Sequence, residues 1–318
     1  LNDGNINSGK SLGVQGIWLS PIFTSPSYHK YDAKDYYQVD WRFGDEKLLG
    51  ELIDLCHERN VKIILDLAIN HTSNQHEWFL QFKQARINND TSNKYYDYYS
   101  CATATTQVNG RQYQKIAGID CYYECNFTGD MPELNYDNPE VRQEMLNVAK
   151  HYLDLGIDGF RFDLVGLLDT NTINALVDAV HERCPGAIFY GEGWTLNTSC
   201  EPGTHMATQP NAYMTPNFAY FSDDIRNLLA GENGRTTGVV SGRTGQEDPL
   251  AHCFAAQVWW CPNPTQTVNY VSCHDNYTLM DKLITSRPDA CRKELVKMNK
   301  LAAAIYLTAQ GIPFTHAG

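Results

Sequence analysis

The chain has 318 residues, 25 of them Lys or Arg and 37 Asp or Glu, for a formal charge of −12. That length buries a sizeable core, and the acidic balance argues against nucleic acid or an anionic membrane surface as partner, since neither rewards negative charge. No apolar run approaches a membrane span, so no membrane partner is expected in this segment.

The first predicted element is a strand at 16–23 (G-I-W-L-S-P-I-F). A helix follows at 47–59 with Leu48, Leu49, Leu52, Leu55 and Cys56 on one face, then a dense apolar strand at 61–69. Asn138 and Pro139 open a later helix as cap and first-turn proline, with Val141, Met145, Val148 and Tyr152 facing inward and Gly156 ending it. Next come a strand at 159–165, a helix marked by Ile173, Leu176, Val177 and Val180, and a strand at 187–190. A less regular unit offers a strand at 212–219. Strands at 267–273 and 311–314, separated by a helical stretch at 295–307, complete the series.

Repeated strand–helix units imply an α/β fold with a parallel sheet and right-handed crossovers. One interval breaks the rhythm. Residues 72–135 are rich in Asn, Thr, Tyr and Gly, too long for a simple connection, and are expected to form a small inserted subdomain after the strand at 61–69. The expected division is therefore 1–71, first part of a barrel; 72–135, insertion; and 136–318, remainder of the barrel. Seven strands can be counted where a closed barrel needs eight, so a first strand and a last helix are expected to lie outside this sequence.

The ten cysteines lack metal-ligand spacing. Cys56 reads as a small buried thiol on a helix face and Cys273 as one inside a strand. Cys101, Cys121 and Cys125 share one loop-rich segment, where a bridge is open in an oxidising compartment.

Four segments place acids at the ends of apolar runs: D-L-A-I-N-H at 66–71, G-F-R-F-D at 159–163, Y-G-E-G-W at 190–194 and V-S-C-H-D-N at 271–276. A buried parallel strand is mostly Val, Ile, Leu and Phe, so a charge at its C-terminal end needs a reason. Any one of them alone reads as a cap, an ion pair or a solvated loop end. Four in ordered series read as the C-terminal rim of a barrel that carries an active site. Asp163 and Glu192 are one strand–helix–strand repeat apart and would face each other across a cleft, as glycosidic cleavage requires of a nucleophile and an acid/base. Arg161 shares a strand face with Asp163 and would hold it ionised, while the Gly-flanked Glu192 beside Trp194 has a tight, partly apolar setting suited to an acid. With 19 Tyr and 6 Trp the chain is well supplied with rings that suit sugar faces.

These segments resemble the four conserved segments of the α-amylase family of glycoside hydrolases, and M-P-E-L-N at 131–135 resembles its additional segment. The resemblance runs along nearly the whole chain and implies a (β/α)8 TIM barrel acting on α-glucan oligosaccharides or polysaccharides with retention. It implies Asp163 as nucleophile, Glu192 as acid/base and Asp275 as the third carboxylate. It further implies that His71 and His274, as uncharged donors, bind sugar hydroxyls, that Arg161 orients Asp163, and that Tyr31 stacks under the sugar with Asp32 in support. Asp66 and Asn70 frame the site from behind. No organic cofactor is implied. Many relatives hold a structural calcium with an Asn where Asn70 stands, but the Lys-His pair that often follows the nucleophile segment is replaced here by L-V-G-L-L-D. The linkage is read as α-1,4 in starch or glycogen, with α-1,6 debranching as the alternative because 159–169, 190–194 and 271–276 resemble pullulanases. A non-catalytic amylase-like domain is a further alternative, against which stand the three retained acids. Starch as substrate points to an extracellular setting, glycogen to the cytoplasm.

Overall fold

The computed structural model describes residue 5, residues 7–196 and residues 203–317; the expected domain limits at Leu1 and Gly318 lie outside these. Two units divide the chain, Leu1–Thr208 and Gln209–Gly318, each with its own core.

The first unit opens with β1 (Gly16–Leu19), the short β2 (Phe23–Thr24) and β3 (Asp35–Val39). The predicted strand at 16–23 is thus two pieces, because Pro21 has no N–H to continue a ladder. β2 pairs antiparallel with β3 to form a hairpin. Helix α1 (Glu46–His57) is capped by the Asp45 side chain on the Leu48 N–H. It buries Leu49, Ile53 and Cys56, whereas Leu48, Leu52 and Leu55 are exposed. The predicted face was therefore one position off, and Ile53 carries the packing. β4 (Lys62–Leu67) follows.

Residues 72–135 contain α2 (Glu77–Asn88) and a three-stranded antiparallel sheet of β5 (Cys101–Ala102), β6 (Tyr113–Lys115) and β7 (Tyr122–Glu124), with β7 in the middle. The chain then enters α3 (Pro139–Asp154), which starts with the Asn138 side chain on the Glu140 N–H and buries all four predicted core residues. β8 (Gly159–Phe162), α4 (Thr170–His181) and β9 (Ile188–Gly191) complete the unit. Strands β1, β4, β8 and β9 lie parallel in that order. β8 is shorter than predicted because Leu164, at φ 50°, turns the chain out of the strand. Phe160, Phe162 and Phe189 cluster on one face of these strands with centroids 6.0–6.5 Å apart.

The second unit contains β10 (Ala219–Phe221), α5 (Asp223–Ala230), α6 (Glu247–Phe254), β11 (Thr267–Asn269), α7 (Leu279–Ser286), α8 (Arg292–Thr308) and β12 (Ile312–Pro313). β10, β11 and β12 are parallel neighbours. The predicted strand at 212–219 is corrected. Gln209–Met214 is a 3-10 turn, and the carbonyls of Ala212, Thr215 and Phe218 accept from the buried Gln266 amide instead of a ladder partner. Ile225, Leu229, Leu283 and Ala302 form the centre of this unit's core. Cys273 is buried but lies beyond β11, not inside a strand. Among the described residues no helix is long and apolar enough to cross a membrane.

Candidate active site

Strand register sets the first half of the site. Asp66 of β4 lies opposite Arg161 of β8, which lies opposite Tyr190 of β9, so these side chains share one face with Trp18 of β1. Two residues further along the same alternation come Asp163 and Glu192, one just past β8 and the other just past β9. β8 and β9 approach closely at Gly159, where a Cβ would run into the Ile188 carbonyl.

Arg161 is the hub, with no solvent exposure. Its Nη1 donates to Asp66 Oδ2 at 3.0 Å and to Asp163 Oδ1 at 2.6 Å, and its Nη2 donates to Glu192 Oε1. The guanidinium carbon also lies 5.2 Å from the Trp18 ring centre and 5.8 Å from that of Tyr31. Burial alone would lower the Arg161 pKa, but Asp66, Glu192 and Asp163 hold it well above the ordinary arginine range. Carboxylate oxygens of Asp163 and Glu192 lie within 4.8 Å of each other. The sequence reading gave Glu192 a partly apolar setting; its actual neighbour is the Arg161 charge.

Asp66 is sealed behind these acids. It accepts from Trp18 Nε1 at 3.1 Å and from the Tyr31 hydroxyl at 3.0 Å as well as from Arg161. Burial pushes Asp66 up to about 7, opposed by the Arg161 charge. Tyr31 is itself mostly buried against Ala68 and Met131, and burial, followed by Asp66, raises its hydroxyl pKa. Asp32 accepts from the hydroxyls of Ser25 (2.6 Å) and Ser27, which ties the loop that carries Tyr31. Within that loop Lys30 adopts φ 68° and sends its Nζ to Asp40 Oδ2 at 2.6 Å, both groups buried.

His71 Nε2 meets the Tyr31 carbonyl at 3.1 Å. A carbonyl only accepts, so Nε2 carries the hydrogen. Burial lowers the His71 pKa and leaves the ring neutral. Nδ1 is then a buried acceptor, with no hydrogen-bond partner among the described residues. The expected hydroxyl donor is thus an acceptor, because its one N–H is already used.

Asn70 passes its carbonyl to the Leu134 N–H, while the neighbouring carbonyls of Ala68, Ile69 and His71 accept from Tyr36 and Tyr136 hydroxyls. Calcium takes about six to eight oxygens, usually several of them carboxylates. Among the described residues no group of three His, Cys, Asp or Glu side chains gathers around Asn70.

His274 and Asp275 belong to the second unit, in the loop well past β11. His274 Nε2 lies 3.5 Å from Asp275 Oδ1, and the Asp275 side chain is 69% exposed. Asn276, at φ 65°, turns the chain directly after Asp275 as Leu164 does after Asp163. Asparagine adopts that conformation readily, whereas for Leu164 it is uncommon. Trp18, Lys30 and Asp40 were missed from the sequence. Alternation in β1 could have signalled Trp18, whereas nothing local signals the Lys30–Asp40 pair.

The family model for the α-amylase catalytic domain matches residues 7–318. α-Amylase 3 of Dictyoglomus thermophilum is 30% identical over 321 residues, covering 97% of this chain and 57% of that protein. Among solved structures, the α-amylase from H. orenii superposes with a TM-score of 0.78 at 28% identity, over 100% of this chain and 62% of that one. A pullulanase from Anoxybacillus sp., solved with maltotetraose, gives a TM-score of 0.79 at 27% identity, over 96% of this chain and 44% of that one. The chain thus spans roughly half the length of the relatives it matches, and its α/β fold is that of their TIM-barrel class. The chain belongs to the α-amylase family of glycoside hydrolases.

Proposed function

We propose that the protein cleaves α-1,4-glucosidic bonds in starch- or glycogen-type α-glucans with retention, through a covalent glycosyl-enzyme intermediate. The observation that carries this reading is the pair Asp163 and Glu192, on neighbouring strand ends with oxygens within 4.8 Å. Retaining glycosidases place their two carboxyls about 5–5.5 Å apart, whereas inverting ones need about 6.5–9.5 Å to admit a water.

In this reading Asp163, oriented by its hydrogen bond from Arg161, attacks the anomeric carbon. Glu192 turns from Arg161 toward the glycosidic oxygen, protonates the leaving group, and then takes a proton from the water that releases the sugar. Asp275 sets negative charge against the oxocarbenium-like centre. His71 Nδ1 accepts a hydrogen bond from a sugar hydroxyl, which satisfies an otherwise costly buried acceptor. Tyr31 and His274 contact the sugar, Asp32 holds the Tyr31 loop, and Asp66 and Asn70 support the strand end. The acids supply both nucleophile and proton, so the chemistry asks for no cofactor.

Residues 72–135 are read as an inserted subdomain that reaches the site through the Glu133 backbone, which bridges to His71. An extracellular setting suits starch, a cytoplasmic one glycogen.

Debranching at α-1,6 bonds is the second reading, favoured by the pullulanase-like motifs and by the similarity to the Anoxybacillus pullulanase. Product analysis separates the two: panose from pullulan indicates α-1,4 cleavage, maltotriose α-1,6. Release of reducing ends should fall roughly 10³-fold in Glu192→Gln. Unchanged release in that variant overturns the assignment.

A further inference from the structure

The small sheet holds a pair of thiols that the glycosidase reading does not use. β5 pairs antiparallel with β7 in the register Cys101 opposite Tyr123 and Ala102 opposite Tyr122. The ladder continues past both ends of β7, since the Cys121 carbonyl accepts from Ile116 and the Cys125 N–H donates to Gln112. Side chains alternate along a strand, so Cys121, Tyr123 and Cys125 face the same side as Cys101. Cys121 and Cys125 are thus the two diagonal neighbours of Cys101. Strand twist makes the two diagonals unequal. Here Cys121 is the near one, the neighbour whose thiol perturbs that of Cys101 and is perturbed by it in turn. All three are free thiols, with Cys101 half-buried and the other two buried.

We propose that Cys101 and Cys121 form a thiol–disulfide exchange site that closes into a disulfide on reaction with a small-molecule disulfide. The neighbouring Cys121 pulls the Cys101 thiol down to about 7, which supplies the attacking thiolate at neutral pH. Burial, with Glu133 and Glu124 nearby, pushes Cys125 up to about 11 and keeps it out of the reaction.

In the first step the Cys101 thiolate attacks one sulfur of glutathione disulfide. A protein–glutathione S–S bond forms, the glutathione S–S bond breaks, and one glutathione leaves as thiolate. Capping Cys101 removes the thiolate that pushed the Cys121 thiol up. Cys121 gives that proton to solvent, attacks the Cys101 sulfur and expels the second glutathione thiolate. Two protein thiols are oxidised and one glutathione disulfide is reduced to two thiols.

The bond would cross-link strand β5 where it matters for the site. Ser100, next to Cys101, donates from its N–H to the Glu133 carbonyl and accepts from the Glu124 N–H, and Glu133 in turn bridges to His71.

The test is incubation of the native protein with glutathione disulfide, followed by non-reducing peptide mapping and thermal unfolding. The expected result is a Cys101–Cys121 linked peptide and a Tm raised on the order of 5 °C, both reversed by dithiothreitol. Cys121→Ser should stop at a glutathione adduct on Cys101, and Cys101→Ser should give neither adduct nor link. A persistent glutathione adduct on the unsubstituted protein, a link from Cys101 to Cys125, or two unmodified thiols would each overturn the proposal. None of these outcomes depends on glycosidase activity.

Discussion

The first unit buries two groups of acids around an arginine, and they are built differently. At the ends of β4, β8 and β9 a single guanidinium meets Asp66, Asp163 and Glu192. In the small sheet Arg111 meets Glu124 at 3.0 Å, while Glu133 accepts from the backbone and side-chain nitrogens of Asn126. An amide supplies hydrogen bonds but no charge. Burial, with Glu124 adding, accordingly pushes Glu133 up to about 7. A planar fork with five donors, fully enclosed, satisfies three carboxylates at once. The strand-end group therefore fixes its acids through one shared cation, whereas Glu133 of the sheet group leans on an uncharged amide. In each group burial pushes one acid, Asp66 or Glu133, up to about 7.

The largest test of that contrast removes each arginine in turn. Arg161→Met leaves three buried carboxylates without a cation, so it should cost about 3–5 kcal/mol in urea denaturation. It should also lower kcat/KM by roughly 10²-fold or more through loss of alignment. Arg111→Met removes a partly exposed partner of one carboxylate and should cost only about 1–2 kcal/mol. Equal costs at the two positions would show that the number of acids per arginine is not what matters.

Asp275→Asn separates charge from scaffolding. Its side chain is 69% exposed and its nearest ionic neighbour, His274, lies at 3.5 Å. The melting midpoint should therefore stay where it is, while kcat falls roughly 10²-fold as transition-state charge stabilisation is lost. A large drop in Tm with kcat preserved would instead give Asp275 a structural role.

The contrast also explains what was legible in the sequence. Alternation in β4, β8 and β9 is strict and local, so Asp66, Arg161, Asp163 and Glu192 could be placed on one face from spacing alone. The inward positions of α3 and α4 were equally plain, because their periodicity is continuous. Three kinds of information were not local. Proline and a left-handed Leu164 cut strands short inside apolar runs that look unbroken. The Gln266 amide, far along the chain, decides the conformation at 212–218. The small sheet is made of strands too short to carry a period, so its acid pair and its thiol pair appear only when the strands are registered. His71 was expected to donate to a sugar hydroxyl, but its direction of hydrogen bonding depends on the Tyr31 carbonyl, which no motif encodes.

The smallest expected effect concerns pH. Glu133 ordinarily titrates near 4.5 and is raised to about 7 in the folded chain. Between those values the folded form keeps a proton that the unfolded form releases, so the folded state binds more protons and stability declines as pH rises. Below that window both states are protonated and the contribution is fully present; above it the contribution is lost. Glu133→Gln mimics the protonated side chain at every pH and still offers an oxygen to Asn126. The variant should match the parent near about pH 5 and exceed it near about pH 8, by on the order of 1–2 kcal/mol in urea denaturation. Parallel stability curves for parent and Glu133→Gln would mean that the Asn126 hydrogen bonds and the Arg111 charge hold Glu133 ionised after all.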